Sequence, residues 1–99
     1  MLKVDTELED LENLFKALAN RKRLEALSIL LTEGKANLQS LSDELEIPLK
    51  TASRNLAILK KAGFLVARTE KGRVVYEINT SDKNNNIITL LVLVKDATS

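Results

Sequence analysis

The sequence predicts a mostly α-helical fold of about five helices carrying a small two-stranded β-hairpin. Three observations lead there. Two helix-sized apolar patterns meet at Glu46-Ile47-Pro48, and proline cannot continue the first of them. Gly63 closes the second pattern, and two β-rich runs follow, joined at Glu70-Lys71-Gly72. The helix between Pro48 and Gly63, residues 49–62, opens with Lys50, Thr51, Ser53, Arg54 and Asn55. Side chains of this kind at the front of a helix suit the hydrogen-bonding edges of a DNA major groove. Helix, tight turn, helix and hairpin in that order read as a winged helix-turn-helix, one domain over residues 1–99.

The totals narrow the function classes. Ninety-nine residues can bury a single modest core, and chains of this size often gain further burial by oligomerising. There is no cysteine and no histidine. Disulfides, thiolate chemistry, imidazole bases and the softer metal sites are thereby excluded, so no metal and no cofactor are expected. The cysteine-free composition fits the cytosol, and Met1 to Glu9 has no apolar stretch of signal-peptide type, so the expected location is cytoplasmic. The longest apolar run, Ile87 to Val94, is far too short to span a membrane.

The net charge of +1 is unevenly spread. Met1–Ala19 holds two lysines against five carboxylates, a net of −3. Pro48–Val75 holds Lys50, Arg54, Lys60, Lys61, Arg68, Lys71 and Arg73 against Glu70, a net of +6. A near-neutral chain with one strongly basic segment has the electrostatic footprint of a nucleic-acid binder. The bland alternative is that these cations merely solvate helix faces.

In chain order, the first two helices occupy residues 5–32. Thr6 and Glu9 have capping-box spacing, which starts the first helix near Asp5-Thr6. Leu8, Leu11, Phe15 and Leu18 form an apolar stripe, widened by Leu14, that serves as a core face and can also be half of a dimer seam. Asn20 can cap the second helix, which runs from Arg21 to Leu31 or Thr32 with Leu24, Leu27, Leu30 and Leu31 inward. Arg21, Lys22 and Arg23 lie at its start, the unfavourable end for positive charge. Either a phosphate contact offsets that, or they are solvated cations near the acidic first helix.

Gly34 fits the end of the second helix, and Lys35-Ala36-Asn37 reads as a connection. The helix-turn-helix follows over residues 38–62. Its short first helix runs from Leu38 to Glu46, capped by Asn37, with Leu38, Leu41 and Leu45 inward. In the second helix Ala52, Leu56 and Leu59 face inward, leaving Lys50, Thr51, Ser53 and Arg54 outward. The wing covers residues 64–79, with strands Phe64–Thr69 and Arg73–Asn79 and a positive φ assigned to Gly72. Val74, Tyr76 and Ile78 should alternate with Val75, Glu77 and Asn79, one face buried and one open. Arg68, Lys71 and Arg73 at the tip suit a phosphate backbone, although hairpin edges also carry such residues to deter aggregation.

The last segment, residues 82–96, can be capped by Ser81. By residue type Ile87 to Val94 fits a buried strand; by context a buried helix is preferred. Its all-round apolar character calls for more cover than one small domain offers, and a partner subunit supplies it.

Several stretches resemble the ArsR-type winged-helix repressors: Leu14 to Asn20, Arg23 to Leu27, Leu38 to Leu45 and, most strongly, Thr51 to Val66. The resemblance covers roughly residues 10 to 80 and is more specific for winged helix than for this family over the MarR type. It implies a homodimer built from the first and last helices, with Leu8, Leu11, Phe15, Ile87, Leu90, Leu91 and Val94 at its seam. It implies binding to an inverted-repeat operator in double-stranded DNA. Its reading-helix positions fall on Lys50, Thr51, Ser53, Arg54 and Asn55, and its wing on Arg68, Lys71 and Arg73. Many members sense metals through cysteine, histidine and carboxylate sites; this chain lacks the first two, and no carboxylate spacing around Glu77 or Asp82 replaces them. Glu46 stands where relatives often carry glycine, which a helical φ would accommodate. Asn20-Arg21-Lys22-Arg23 lacks the usual proline.

The leading expectation is therefore a homodimeric transcriptional repressor. The alternative is a winged-helix protein-interaction module without sequence reading. An RNA binder would offer stacking aromatics, and Phe15, Phe64 and Tyr76 all fall at expected core positions. An enzyme is not expected, because no nucleophile–base pair and no phosphate-cradling glycine loop is present.

Overall fold

The computed structural model describes residues 2–80 and 85–98. In order the elements are α1 (Leu2–Leu18), α2 (Arg21–Glu33), β1 (Lys35–Asn37), α3 (Leu38–Leu45), α4 (Leu49–Ala62), β2 (Leu65–Glu70), β3 (Arg73–Ile78) and α5 (Asn85–Thr98). α1 begins at Leu2 rather than near Thr6, so Thr6 and Glu9 lie inside the helix and do not mark its start. Asn20 caps α2 as expected, its side chain accepting from the backbone N–H of Arg23. Asn37 does the same for α3, accepting from Ser40. Ser81 and Asp82, expected to open the last segment, lie outside the described residues.

Two turns hold the helix-turn-helix in shape. Glu46 ends α3 with φ 56 and ψ 45, a left-handed conformation rather than the helical one expected of it. Its backbone N–H reaches back to the carbonyls of Ser42 and Asp43. Buried Ser42 adds a side-chain hydrogen bond of 2.7 Å to the Ile47 carbonyl, so the turn between α3 and α4 is tied from inside. At the other end Gly63, with φ 101, terminates α4 and lets the chain swing into β2.

Lys35-Ala36-Asn37 is a strand, not a connection, and it makes the sheet three-stranded in the order β1-β3-β2. β3 is thus central and antiparallel to both neighbours. The hairpin turns on Lys71 and Gly72, both at positive φ (51 and 79), the two-residue geometry that matches strand twist. The expected alternation along β3 is only partly realised. Tyr76 is buried and Val74 is 41% exposed, while Val75, assigned to the open face, is buried. The register explains it: Val75 lies opposite Arg68 on one side and Asn37 on the other. Ion pairs from Lys35 and Arg68 to Glu70, and from Arg68 to Glu77, close over that face.

One apolar cluster joins Leu14 and Ala17 of α1 to Leu27 and Leu30 of α2, Leu41 and Leu45 of α3, Leu56 and Leu59 of α4, Phe64, and Tyr76. α5 completes it, as a helix rather than a strand, with Ile87, Leu90, Leu91 and Val94 inward. These four were expected at the dimer seam; the structure buries them in the chain's own core. The side of α5 left outward carries Ile88, Val92 and Leu93, exposed by 50%, 52% and 63%. α1 divides similarly. Leu14 and Ala17 are buried and Leu11 is half-buried, whereas Leu8 and Phe15 remain more than half exposed.

Candidate nucleic-acid interface

α4 presents its polar side because Ala52, Leu56 and Leu59 fix the opposite one in the core. Lys50, Thr51 and Arg54 are exposed and Ser53 is half-exposed. Among the described residues, none of the cations Lys50, Arg54, Lys60 and Lys61 forms an ion pair. Pro48 precedes α4 without a side-chain cap, so the positive end of the helix dipole is not neutralised locally. A groove lined by Asn37, Leu38, Gln39, Leu49, Arg73 and Val74 runs between the starts of α3 and α4 and the wing. The wing's Arg73 and the start of α4 therefore share one side of the molecule.

The eight residues singled out in the sequence do not all stand equal. Arg68 is engaged on the outer sheet face, 2.6 Å from Glu70 and in a further charge-assisted hydrogen bond to Glu77. Its hydrogen bond to Glu70, then that to Glu77, hold the guanidinium in its charged form. The same contact with Arg68, supported by Lys35, lowers the Glu70 carboxyl below its ordinary value. Arg68 thus ties the two wing strands together, its own charge matched by Glu70 and Glu77. Lys71 and Arg73 have no such partners among the described residues. Asn55 is also engaged: its Oδ1 accepts a 2.9 Å hydrogen bond from Arg23 Nη1.

The cations at the start of α2 are explained by that network. Arg23 donates from Nε to the Ala17 carbonyl (2.6 Å) and from Nη2 to the Lys16 carbonyl (3.2 Å), both at the C-terminal end of α1. Lys22 donates to the Leu45 carbonyl at the end of α3 (2.8 Å) and pairs with Glu25. Arg21 pairs with Glu25. Positive charge that is misplaced for its own helix is well placed for the negative ends of two neighbours. No side-chain signal in the sequence announces these contacts, because all the acceptors at the helix ends are backbone carbonyls.

Among the described residues no group of three carboxylates is placed to hold a metal ion, and no helix is long and apolar enough to cross a membrane.

Comparison with known proteins agrees with this geometry. The profile of the bacterial regulatory protein, arsR family, matches residues 20–66, from the cap of α2 into β2. The chain is 32% identical over 77 residues to the arsenical resistance operon repressor of Bacillus subtilis, covering 78% of this chain and 73% of that protein. It is 37% identical over 75 residues to an HTH-type transcriptional regulator of Mycobacterium tuberculosis, covering 76% of this chain. The match spans only 33% of that longer regulator. The homodimeric winged helix-turn-helix DNA-binding domain of a possible ArsR-family regulator from Mycobacterium bovis superposes with a TM-score of 0.78. The two are 31% identical, over 94% of this chain and 82% of that one. On its fold and on these likenesses, the chain belongs to the arsR family of bacterial regulatory proteins, winged helix-turn-helix transcriptional regulators.

Proposed function

We propose that the chain is a homodimeric, sequence-specific DNA-binding repressor acting in the cytoplasm, and not an enzyme. Each protomer lays α4 in the major groove of one half of an inverted-repeat operator and rests its wing on the flanking backbone. The observation that carries this reading is the exposed set Lys50, Thr51, Arg54, Lys71 and Arg73, none of them in an ion pair among the described residues, with Arg73 and the start of α4 lining one groove. Arg54, one turn into α4, is the residue suited to a guanine edge. Lys71 and Arg73 at the hairpin tip contribute phosphate contacts that carry no sequence information. Dimerisation is supported by the apolar residues that α1 and α5 leave outward, and by the M. bovis domain being homodimeric. The repressor role follows the B. subtilis relative.

The test begins with selection of a duplex from a random pool, followed by salt titrations on that duplex and on random DNA. Arg54→Ala is expected to lose about 1–3 kcal/mol per half-site on the selected duplex and much less on random DNA. Lys71→Ala/Arg73→Ala should weaken both duplexes alike and flatten the salt dependence by about one unit per lost contact. Equal losses on both duplexes for Arg54→Ala would make it a phosphate clamp. Failure of the wild-type protein to prefer any duplex would overturn the reading.

A further inference from the structure

We infer that Arg23 is the positioning residue of the reading helix: it fastens α4, through Asn55, to the C-terminal end of α1. The spacing between the two reading helices in the dimer is thereby set. This rests on the dimeric DNA-reading function proposed above. One guanidinium makes three hydrogen bonds to groups outside its own helix, two to α1 carbonyls and one to the Asn55 side chain. The Lys16 carbonyl otherwise takes a long backbone bond of 3.4 Å from Ala19, so Arg23 caps the end of α1 while holding α4. Only a planar fork with donors on several sides meets three such acceptors at once; a lysine ammonium is a point charge on a flexible stem.

The position of this contact matters more than its strength. Asn55 follows Arg54 directly and lies one helical turn beyond Thr51, within the stretch to which DNA reading is assigned above. Leu56 and Leu59 hold α4 against the core, but apolar packing is non-directional and tolerates small rotations about the helix axis. Arg23–Asn55 supplies a directional restraint on that rotation. Its other end is anchored on α1, whose Leu8 and Phe15 belong to the outward face assigned to the dimer seam. The seam and the reading helix are therefore joined by this directional contact as well as by the apolar core that α1 and α4 share. Adding or removing one base pair between half-sites moves them by roughly 3.4 Å and about a tenth of a turn, so the protein's tolerance of spacing reads out this restraint.

The experiment uses the full chain and the selected duplex, together with versions carrying one base pair inserted or deleted between the half-sites. Arg23→Gln, Asn55→Ala, the double variant and Arg23→Lys are compared with wild type, with sedimentation and thermal unfolding run on each. Asn55→Ala leaves the bonds from Arg23 to α1 in place, so it tests the inference even if Arg23→Gln fails to fold. The wild-type protein should lose at least about tenfold on either altered spacing. Asn55→Ala should lose about tenfold on the selected duplex, keep its affinity for random DNA and its dimer constant, and show a spacing penalty reduced to about threefold. The double variant should be no worse than the weaker single variant, and Arg23→Lys should recover part of the loss. Additive losses with an unchanged spacing penalty would show that Asn55 touches DNA itself and that Arg23 is only a helix cap, overturning the inference. A wild-type protein that prefers no duplex would refute the underlying function and the inference with it.

Discussion

Leu93→Asp should separate dimerisation from folding, and the structure sets the size of both effects. Leu93 is 63% exposed in the single chain, beside Val92 and Ile88, which are about half exposed. Replacing it removes little core packing. The expected folding penalty is about 1 kcal/mol, from the poorer helix propensity of aspartate and its position toward the negative end of α5. At a symmetric apolar seam the same substitution buries a carboxylate on each side of the two-fold axis. That should weaken association by at least about 3 kcal/mol, a hundredfold or more in the dimer dissociation constant. Leu91→Asp is the contrast: Leu91 is 8% exposed and packed in the chain's own core, so it should cost well over about 3 kcal/mol of folding stability. Sedimentation, thermal unfolding and operator anisotropy on the two variants give the answer. Leu93→Asp should be a folded monomer with little operator affinity, since one particle no longer spans two half-sites. A dimeric Leu93→Asp with wild-type affinity would place the seam away from this side of α5 and refute the reasoning.

Three further outcomes are expected. Glu46→Gly should stabilise the protein by up to about 1 kcal/mol in chemical denaturation, because glycine adopts the left-handed conformation without a Cβ clash, partly offset by its freer unfolded chain. A loss of stability would show that the Glu46 side chain contributes more than its backbone strain removes. Glu44 has its carboxyl raised above 4.5, by desolvation first and then by the neighbouring Glu33. The folded state therefore holds the proton more tightly than the unfolded state, so this group's contribution falls as pH rises above 4.5. Glu44→Gln should be the more stable protein at neutral pH, with the difference vanishing below pH 4.5 in paired melts. Zinc, cadmium or copper at micromolar levels should not release the protein from its operator, since the chain offers neither thiolate nor imidazole. Stoichiometric release in an anisotropy titration would contradict that.

Where the sequence located an element well, the signal was a residue with a backbone consequence. Pro48 and Gly63 bound α4 at Leu49 and Ala62 because one cannot continue a helix and the other readily ends one. Where it fell short, the determinant was non-local. Three residues, Lys35-Ala36-Asn37, carry no periodicity of their own, and only pairing with β3, some forty residues on, makes them a strand. Arg68 and Asn55 carry the residue types of a DNA contact, yet their partners Glu77 and Arg23 come from other elements. α5 is a helix as preferred, and its faces were ambiguous for a different reason. With apolar residues at nearly every position from Ile87 to Val94, periodicity cannot tell the core side from the outward one. The face named for the seam, Ile87, Leu90, Leu91 and Val94, is a real helical face, and the chain's own core buries it.

The start of α2 shows how a local penalty becomes a determinant of the fold. Arg21, Lys22 and Arg23 at an N-terminal end oppose that helix's dipole by a few tenths of a kcal/mol each. Taken alone, the segment should prefer acidic residues there. In the folded chain the C-terminal carbonyls of α1 and α3 converge on the same place, and Arg23 and Lys22 satisfy them with bonds of 2.6 and 2.8 Å. Charge-assisted hydrogen bonds of this kind contribute about 1.5–3 kcal/mol, less where water reaches them, which outweighs the dipole term. The cations therefore favour the one arrangement in which three helix ends meet. That arrangement also carries α4, because the Arg23 that caps α1 is the residue that holds Asn55.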